Sequence, residues 1–419
     1  MAADARSPAG RGVYSTPRSS GSHPAGAARD SLRAGFPRGV FRTAVRGWAG
    51  RLACTAVVAL VASSAAAAAE FPTGTYTGSR QPDWSIRFDK DGRFTVTSAG
   101  KPVAAGVWAA SEADITLTDD PGPTAGPGTA ATGQYGWRHE WGTLSLTLVR
   151  DDSEGRGLML TTNDWIDSRV RELGKWMSTY YCNPAPDQFV DKVREMSEVG
   201  VLRATGKRGR PDANVMFLGK VMQTNPGRIA DWMEQLASLP ASEQEALRKA
   251  VWYSDCEAGR AWLVEHGAGE LARGPRPMLF GDQTGFLLTA GDTAIQLEPH
   301  HLDQLWEWFF ATGEAEPVVR VTEVFGLAYE MPTAGSRDLP PPPPETDDKI
   351  QTSLLASNYR LSRLALWSTT SLAIHHDRVL SILVERHQTA GTDRVKAWIA
   401  WVIDTARADR EVQDQSNTD

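Results

Sequence analysis

The chain has 419 residues, 41% of them hydrophobic and 23% charged, with 15 tryptophans, which is enough for two or three domains that each bury a core. The net charge of −7 is unevenly spread: residues 1–69 hold nine Arg, no Lys and two Asp, which leaves −14 on the remainder. An acidic body of this kind argues against nucleic-acid binding through phosphate neutralisation.

Residues 1–39 are rich in Gly, Ser, Pro and Arg without apolar periodicity and read as disordered. A translation start at Val40, from a GTG codon, would leave them untranslated. Arg42, Arg46 and Arg51 then precede an apolar run from Leu52 to Ser63 and an alanine-rich stretch. That order is a secretory signal peptide over 40–69, with cleavage expected after Ala69, and the run is too short for a convincing membrane span. The expected address is export, to the periplasm or the exterior, with no integral membrane segment after cleavage. Cys54 precedes the apolar run, which speaks against a lipoprotein. Cleavage leaves Cys182 and Cys256, which allow one disulfide and stand equally well as two separate thiols.

From 70 to 165 apolar residues alternate in short runs separated by turn residues: "WSIRF", "RFTVT", "VAAGVWAA", "ADITLTD", "GQYGWRHEW", "TLSLTLVRD" and "GLMLTT". Seven or eight such strands predict an antiparallel sandwich or a closed barrel. Asp89, Asp91 and Gly92 in "DKDGR" suit a hairpin turn and lack the further acids of a calcium loop. The stretch "DDPGPTAGPGTAATG" reads as a long loop at one mouth.

The opening "GTYTG" and the run "GQYGWRHEWGTLSLTLVRDDSEGR" resemble the lipocalin-like, calycin-type small barrels of exported bacterial proteins. The positions that carry the likeness are Gly74, Tyr76, Tyr135, Trp137, Asp151 and Arg156. The resemblance implies that an aromatic near the start packs under the barrel and that the arginine returns to close it. It also implies either a small apolar ligand, with Tyr76, Trp84, Trp108, Tyr135, Trp137 and Arg156 as candidate contacts, or an interior filled by Trp84, Trp108, Trp137 and Trp141 themselves.

Beyond Thr162 the period becomes 3.6, and an α-helical, repeat-like domain is expected over 166–336. Asn163 or Asp164 is the expected cap of a helix facing inward with Ile166, Val170, Leu173, Met177 and Tyr180. Helices follow over Pro186–Met196 and Val215–Met222. Another is expected from Asn225 as cap and Pro226 at its first position, and one more from the capping box "SEQE", Ser242–Glu245. The segment 267–298 interrupts the array with a loop and short mixed elements. After Pro299, Leu302, Leu305, Trp306, Phe309 and Phe310 form one apolar stripe ended by Gly313, and Val318, Val321, Val324 and Phe325 form the next. "RDLPPPPPETDD", 337–348, is a polyproline linker or loop. Residues 349–410 hold the C-terminal helices: Leu364, Trp367 and Leu372, a break near the Ser/Thr cluster, Val379, Leu380 and Leu383, then a last helix from about Thr392 to Arg410 with the stripe Val395, Trp398, Ile399, Val402, Ile403 and Ala406, and a frayed tail over 411–419. This half is similar to exported bacterial proteins built of short helices to which no activity is assigned.

The histidine pairs His300–His301 and His375–His376 are the candidate metal ligands. Adjacent imidazoles at a helix end point about 100° apart, and the i, i+4 spacing of a helical zinc pair is absent. No nucleophile elbow, phosphate loop, S-x-x-K or C-x-x-C occurs. The fold class expected is therefore multidomain, all-β plus all-α: a small antiparallel lipocalin-like barrel followed by an array of short antiparallel helices. The function expected is a non-catalytic binding or interaction module without cofactor, taking a small apolar ligand in the barrel or a protein partner of the cell envelope on the helices. The alternatives are a metal-dependent envelope hydrolase using the paired histidines and a purely structural envelope protein.

Overall fold

The computed structural model describes residues 70–121, 130–203, 213–274, 299–328, 330–332, 339, 343 and 349–416. The expected signal peptide, the centre of the Gly/Pro-rich loop, residues 275–298 and most of the polyproline run lie outside them. Eight antiparallel strands close into a barrel in sequence order: β1 (Gly74–Gly78), β2 (Trp84–Phe88), β3 (Arg93–Ser98), β4 (Lys101–Ala110), β5 (Asp114–Asp119), β6 (Thr132–Glu140), β7 (Thr143–Asp151) and β8 (Asp164–Asp167). The ring is completed by β8 on β1, with Tyr76 opposite Asp167. Strict alternation sends Ile86 and Phe88, Phe94 and Val96, Ile115 and Leu117, and Leu144 and Leu146 inward.

Three expectations for this half are corrected. "GLMLTT" belongs to a helix, α1 (Glu154–Thr162), which Ser153 caps by accepting from the Arg156 N–H. Its Arg156, Gly157 and Leu160 are buried while Leu158 is 64% exposed, so the apparent alternation of leucines was one inward and one outward residue of a helix. The closing strand is β8, so Ile166 is a strand residue, and the next helix starts at Ser168 with Asp167 as its cap. Nor do the four named tryptophans fill the interior. The fully buried rings are Trp165, Tyr76, Tyr135, Phe88 and Phe94, with Trp84, Trp108 and Trp137 packed partly buried against them. Trp108 and Trp137 sit at one mouth, their indole N–H groups donating to the Asp89 and Ser111 carbonyls at 3.1 and 3.0 Å.

Twelve α-helices follow among the described residues: α2 (Ser168–Thr179), α3 (Phe189–Glu198), α4 (Ala213–Thr224), α5 (Ile229–Gln235), α6 (Ala241–Tyr253), α7 (Glu257–Glu265), α8 (Gly269–Arg273), α9 (Pro299–Thr312), α10 (Ala315–Glu323), α11 (Lys349–His375), α12 (Asp377–Thr389) and α13 (Asp393–Ser416). α4 is buried from Val215 to Met222 on every side, packed between α6 and α9, and is the axis of this body. The expected stripes on α9, α10 and α13 are buried, and Gly313 (φ +68) ends α9.

Several helix ends differ from expectation for local reasons. Asn225 and Pro226 hold the expected cap and first positions, but the turn they open is 3₁₀ before it runs into α5, and the Asn225 side chain makes no capping bond, its amide donating back to the Val221 carbonyl at 2.9 Å. Ser242 is not a cap either, because α6 begins at Ala241 behind Pro240, and Glu243 instead accepts from Ser197 of α3 at 2.5 Å. The Ser/Thr cluster does not break α11. Thr369 and Thr370 return their hydroxyls to the Ala365 and Leu366 carbonyls at 2.7 and 2.8 Å, and the helix passes through. Trp367, expected on the buried stripe, is 55% exposed. The last helix continues to Ser416, past the expected fraying point. Cys182 and Cys256 are free thiols. Cys182 is exposed in a 3₁₀ turn, and the Cys256 sulfur caps α7 by accepting from the Gly259 N–H at 3.4 Å. Among the described residues no helix is long and apolar enough to cross a membrane.

Candidate functional site

The barrel residues named from sequence divide between the two mouths, Tyr135 and Arg156 at one and Trp108 and Trp137 at the other. At the mouth covered by α1, Asp151 is 1% exposed and receives Arg156 through two guanidinium bonds of 2.9 and 2.6 Å and the Tyr135 hydroxyl through a third. The same guanidinium pairs with Asp119 and donates to the Ala131 carbonyl at 3.3 Å. Burial works against the charge on Arg156, yet Asp151 and Asp119 together hold it above its ordinary range. Asp119 is itself held above the usual carboxylate range by burial despite Arg156, so the arginine is fitted first to Asp151. At the opposite mouth Phe71 packs on Phe88, Trp108 and Trp137 with ring centroids 5.0, 5.1 and 5.2 Å away. The Tyr76 hydroxyl donates to the Pro72 carbonyl at 3.2 Å, and burial raises its phenol well above the ordinary value. Trp84 is half-buried and packs against the same core. The lumen is thus occupied by the barrel's own side chains.

The histidines are divided. His300 and His301 stack on each other at 3.9 Å at the start of α9. His376 caps α12, its Nδ1 lies 3.0 Å from the Tyr181 hydroxyl, and its ring rests 5.6 Å from Phe310. Burial, then His375 and Arg410, lowers its affinity for a proton. Phe310 is ten residues along α9 from His300, about 15 Å of helical rise, so the two pairs sit at opposite ends of that helix. Among the described residues no group of three His, Cys, Asp or Glu side chains is placed to hold a metal.

Among the described residues, two open spaces are found in the helical body. A cleft of about 170 Å³ runs between α2, α3, α4 and α9. Val170, Leu173 and Met177 of α2 form one wall, with Met196, Val201 and Phe310 opposite, and Asn214 and Glu307 supply its polar atoms. Gly174 lies exposed on its lining, and a Cβ there would meet nothing within 4 Å. The amphipathic face of α2 was visible in the sequence. The cleft was not, because its walls come from four segments spread over more than a hundred residues. A second hollow, about 210 Å³ between α12 and α13, is rimmed by the exposed His387, Asp404 and Arg407. No family model matches this chain, and no curated protein or solved structure is significantly similar to it.

Proposed function

We propose that this is an exported, non-catalytic binding protein in which a solid, lipocalin-like barrel serves as a rigid support and the cleft between α2 and α9 takes a small apolar ligand. The observation that carries this reading is the cleft itself. An apolar cavity of about 150 Å³ is enough to bind a benzene ring, so 170 Å³ suits a single ring or a short branched chain. Its lining is hydrophobic, with a carboxylate and an amide to orient the guest, the usual make-up of a small-molecule site. The charged, apolar and small-residue order of 40–69 supports export, and the set Gly74, Tyr76, Tyr135, Asp151 and Arg156 supports the lipocalin-like reading of the barrel.

The test is native mass spectrometry of the secreted chain beside the variant Gly174→Leu, which adds bulk to the lining of the cleft at a position where a Cβ would meet no neighbour. The expected result is a small co-purified or titrated apolar guest, with benzene and toluene as probes, on the natural chain and none on the variant. Equal binding by both proteins, or no thermal shift with either probe at its solubility limit, rejects the cleft as a binding site.

A further inference from the structure

The β6–β7 hairpin turn is where the barrel meets the helices. Trp141 (φ +60) and Gly142 (φ +66) are both left-handed, and a Cβ at Gly142 would stand 2.3 Å from a Val170 methyl of α2 and 3.4 Å from the Val199 carbonyl that follows α3. The turn is therefore pressed onto both helices. Two residues before it, the His139 ring meets Tyr76 edge-on at 6.3 Å, and its Nε2 is buried with no hydrogen-bond partner.

The charges around this imidazole come from every element packed there. On β8, the Asp167 carboxylate is 3% exposed and already accepts the Arg169 N–H and guanidinium at 2.9, 3.2 and 2.9 Å. On α2, Arg169 also reaches Glu198 of α3 at 3.2 Å. Arg203, beyond α3, lies over the Trp141 ring at 4.3 Å. Tyr76 on β1 is a neutral phenol, and on β6 itself Arg138 and Glu140 pair with each other at 3.7 Å. Both acids of the seam, Asp167 and Glu198, are thus engaged by Arg169, and the histidine faces two guanidinium groups.

We propose that His139 is a pH-sensitive clasp on this seam: neutral, it lets the hairpin turn seat on α2 and α3, and protonated, it adds a third cation beside Arg169 and Arg203 and the seam opens. Burial first, and then the two arginines, hold the imidazole below its ordinary value of 6.5 against the pull of Asp167. The seated form therefore binds fewer protons than the open one. Its stability is complete above pH 6.5 and is lost as the pH falls from there toward the lowered value.

Hydrogen exchange of the full chain at pH 7.5 and 5.0, corrected for intrinsic rates, tests the clasp at residues 139–145 and 168–172. The natural chain should exchange there at least tenfold faster at pH 5.0. His139→Gln should abolish that excess, while His376→Gln, at the buried histidine outside the seam, should keep it. Arg203→Gln provides a second route if His139→Gln folds poorly: one cation fewer should weaken the acid response. No acid response in the natural chain, or one that survives both His139→Gln and Arg203→Gln, overturns the proposal.

Discussion

The barrel and the helical body solve the same problem in opposite ways. The barrel packs its interior solid and closes one mouth with a buried charge network, Asp151, Arg156, Asp119 and Tyr135. The helical body surrounds α4 with apolar and aromatic side chains, buries polar atoms without partners at Tyr180 and Trp176 as the barrel does at His139, and leaves a cleft along α2. Tyr180 is correspondingly pushed up to about 12 by burial. A small closed sheet directs every inward side chain to a single interior. An array of short helices distributes its packing, and a gap at one helix pair costs little elsewhere.

The contrast is broken most severely at Arg156. Arg156→Ala strands two carboxylates in the barrel mouth and should cost about 3–5 kcal/mol, and Arg156→Lys should recover only part of it, because an ammonium cannot make the two-pronged contact with Asp151. Urea unfolding followed through the barrel tryptophans measures this. Losses below 1 kcal/mol would mean that the apolar filling alone closes the barrel. The seam comes next. Gly142→Ala adds a methyl against Val170 at a left-handed position and should cost about 2–3 kcal/mol, read in the same titration, with faster exchange at the turn. The smallest effect is expected at Cys182. Cys182→Ser at an exposed thiol should change stability by no more than about 0.5 kcal/mol. A loss near 4 kcal/mol, the size expected of a bridge closing so long a loop, would show that it pairs with Cys256 in the folded protein.

Much of this was readable from residue order. The inward positions of the barrel follow from period two, and the coming together of Tyr135, Asp151 and Arg156 follows from the motif that holds them. The stripes of α9, α10 and α13 follow from period 3.6. What misled were residues with two local uses. Leu158 and Leu160 fit a strand until Ser153 is seen to start a helix. Thr369 and Thr370 suggest a break until their hydroxyls are seen to fold back on the helix that carries them. Asn225 stands where the next helix begins, as expected, but its side chain bonds back to the helix before it. Each ambiguity was decided by hydrogen bonds that depend on where the backbone already runs. The cleft and the surroundings of His139 were hidden for a different reason: both are meetings of distant segments, and neither leaves a local pattern.

Val170 belongs to two structures at once, since it lines the cleft and carries the hairpin turn. Whatever displaces that wall of the cleft presses on the left-handed turn at Gly142 from the other side, so crowding of either face of Val170 is felt at the other.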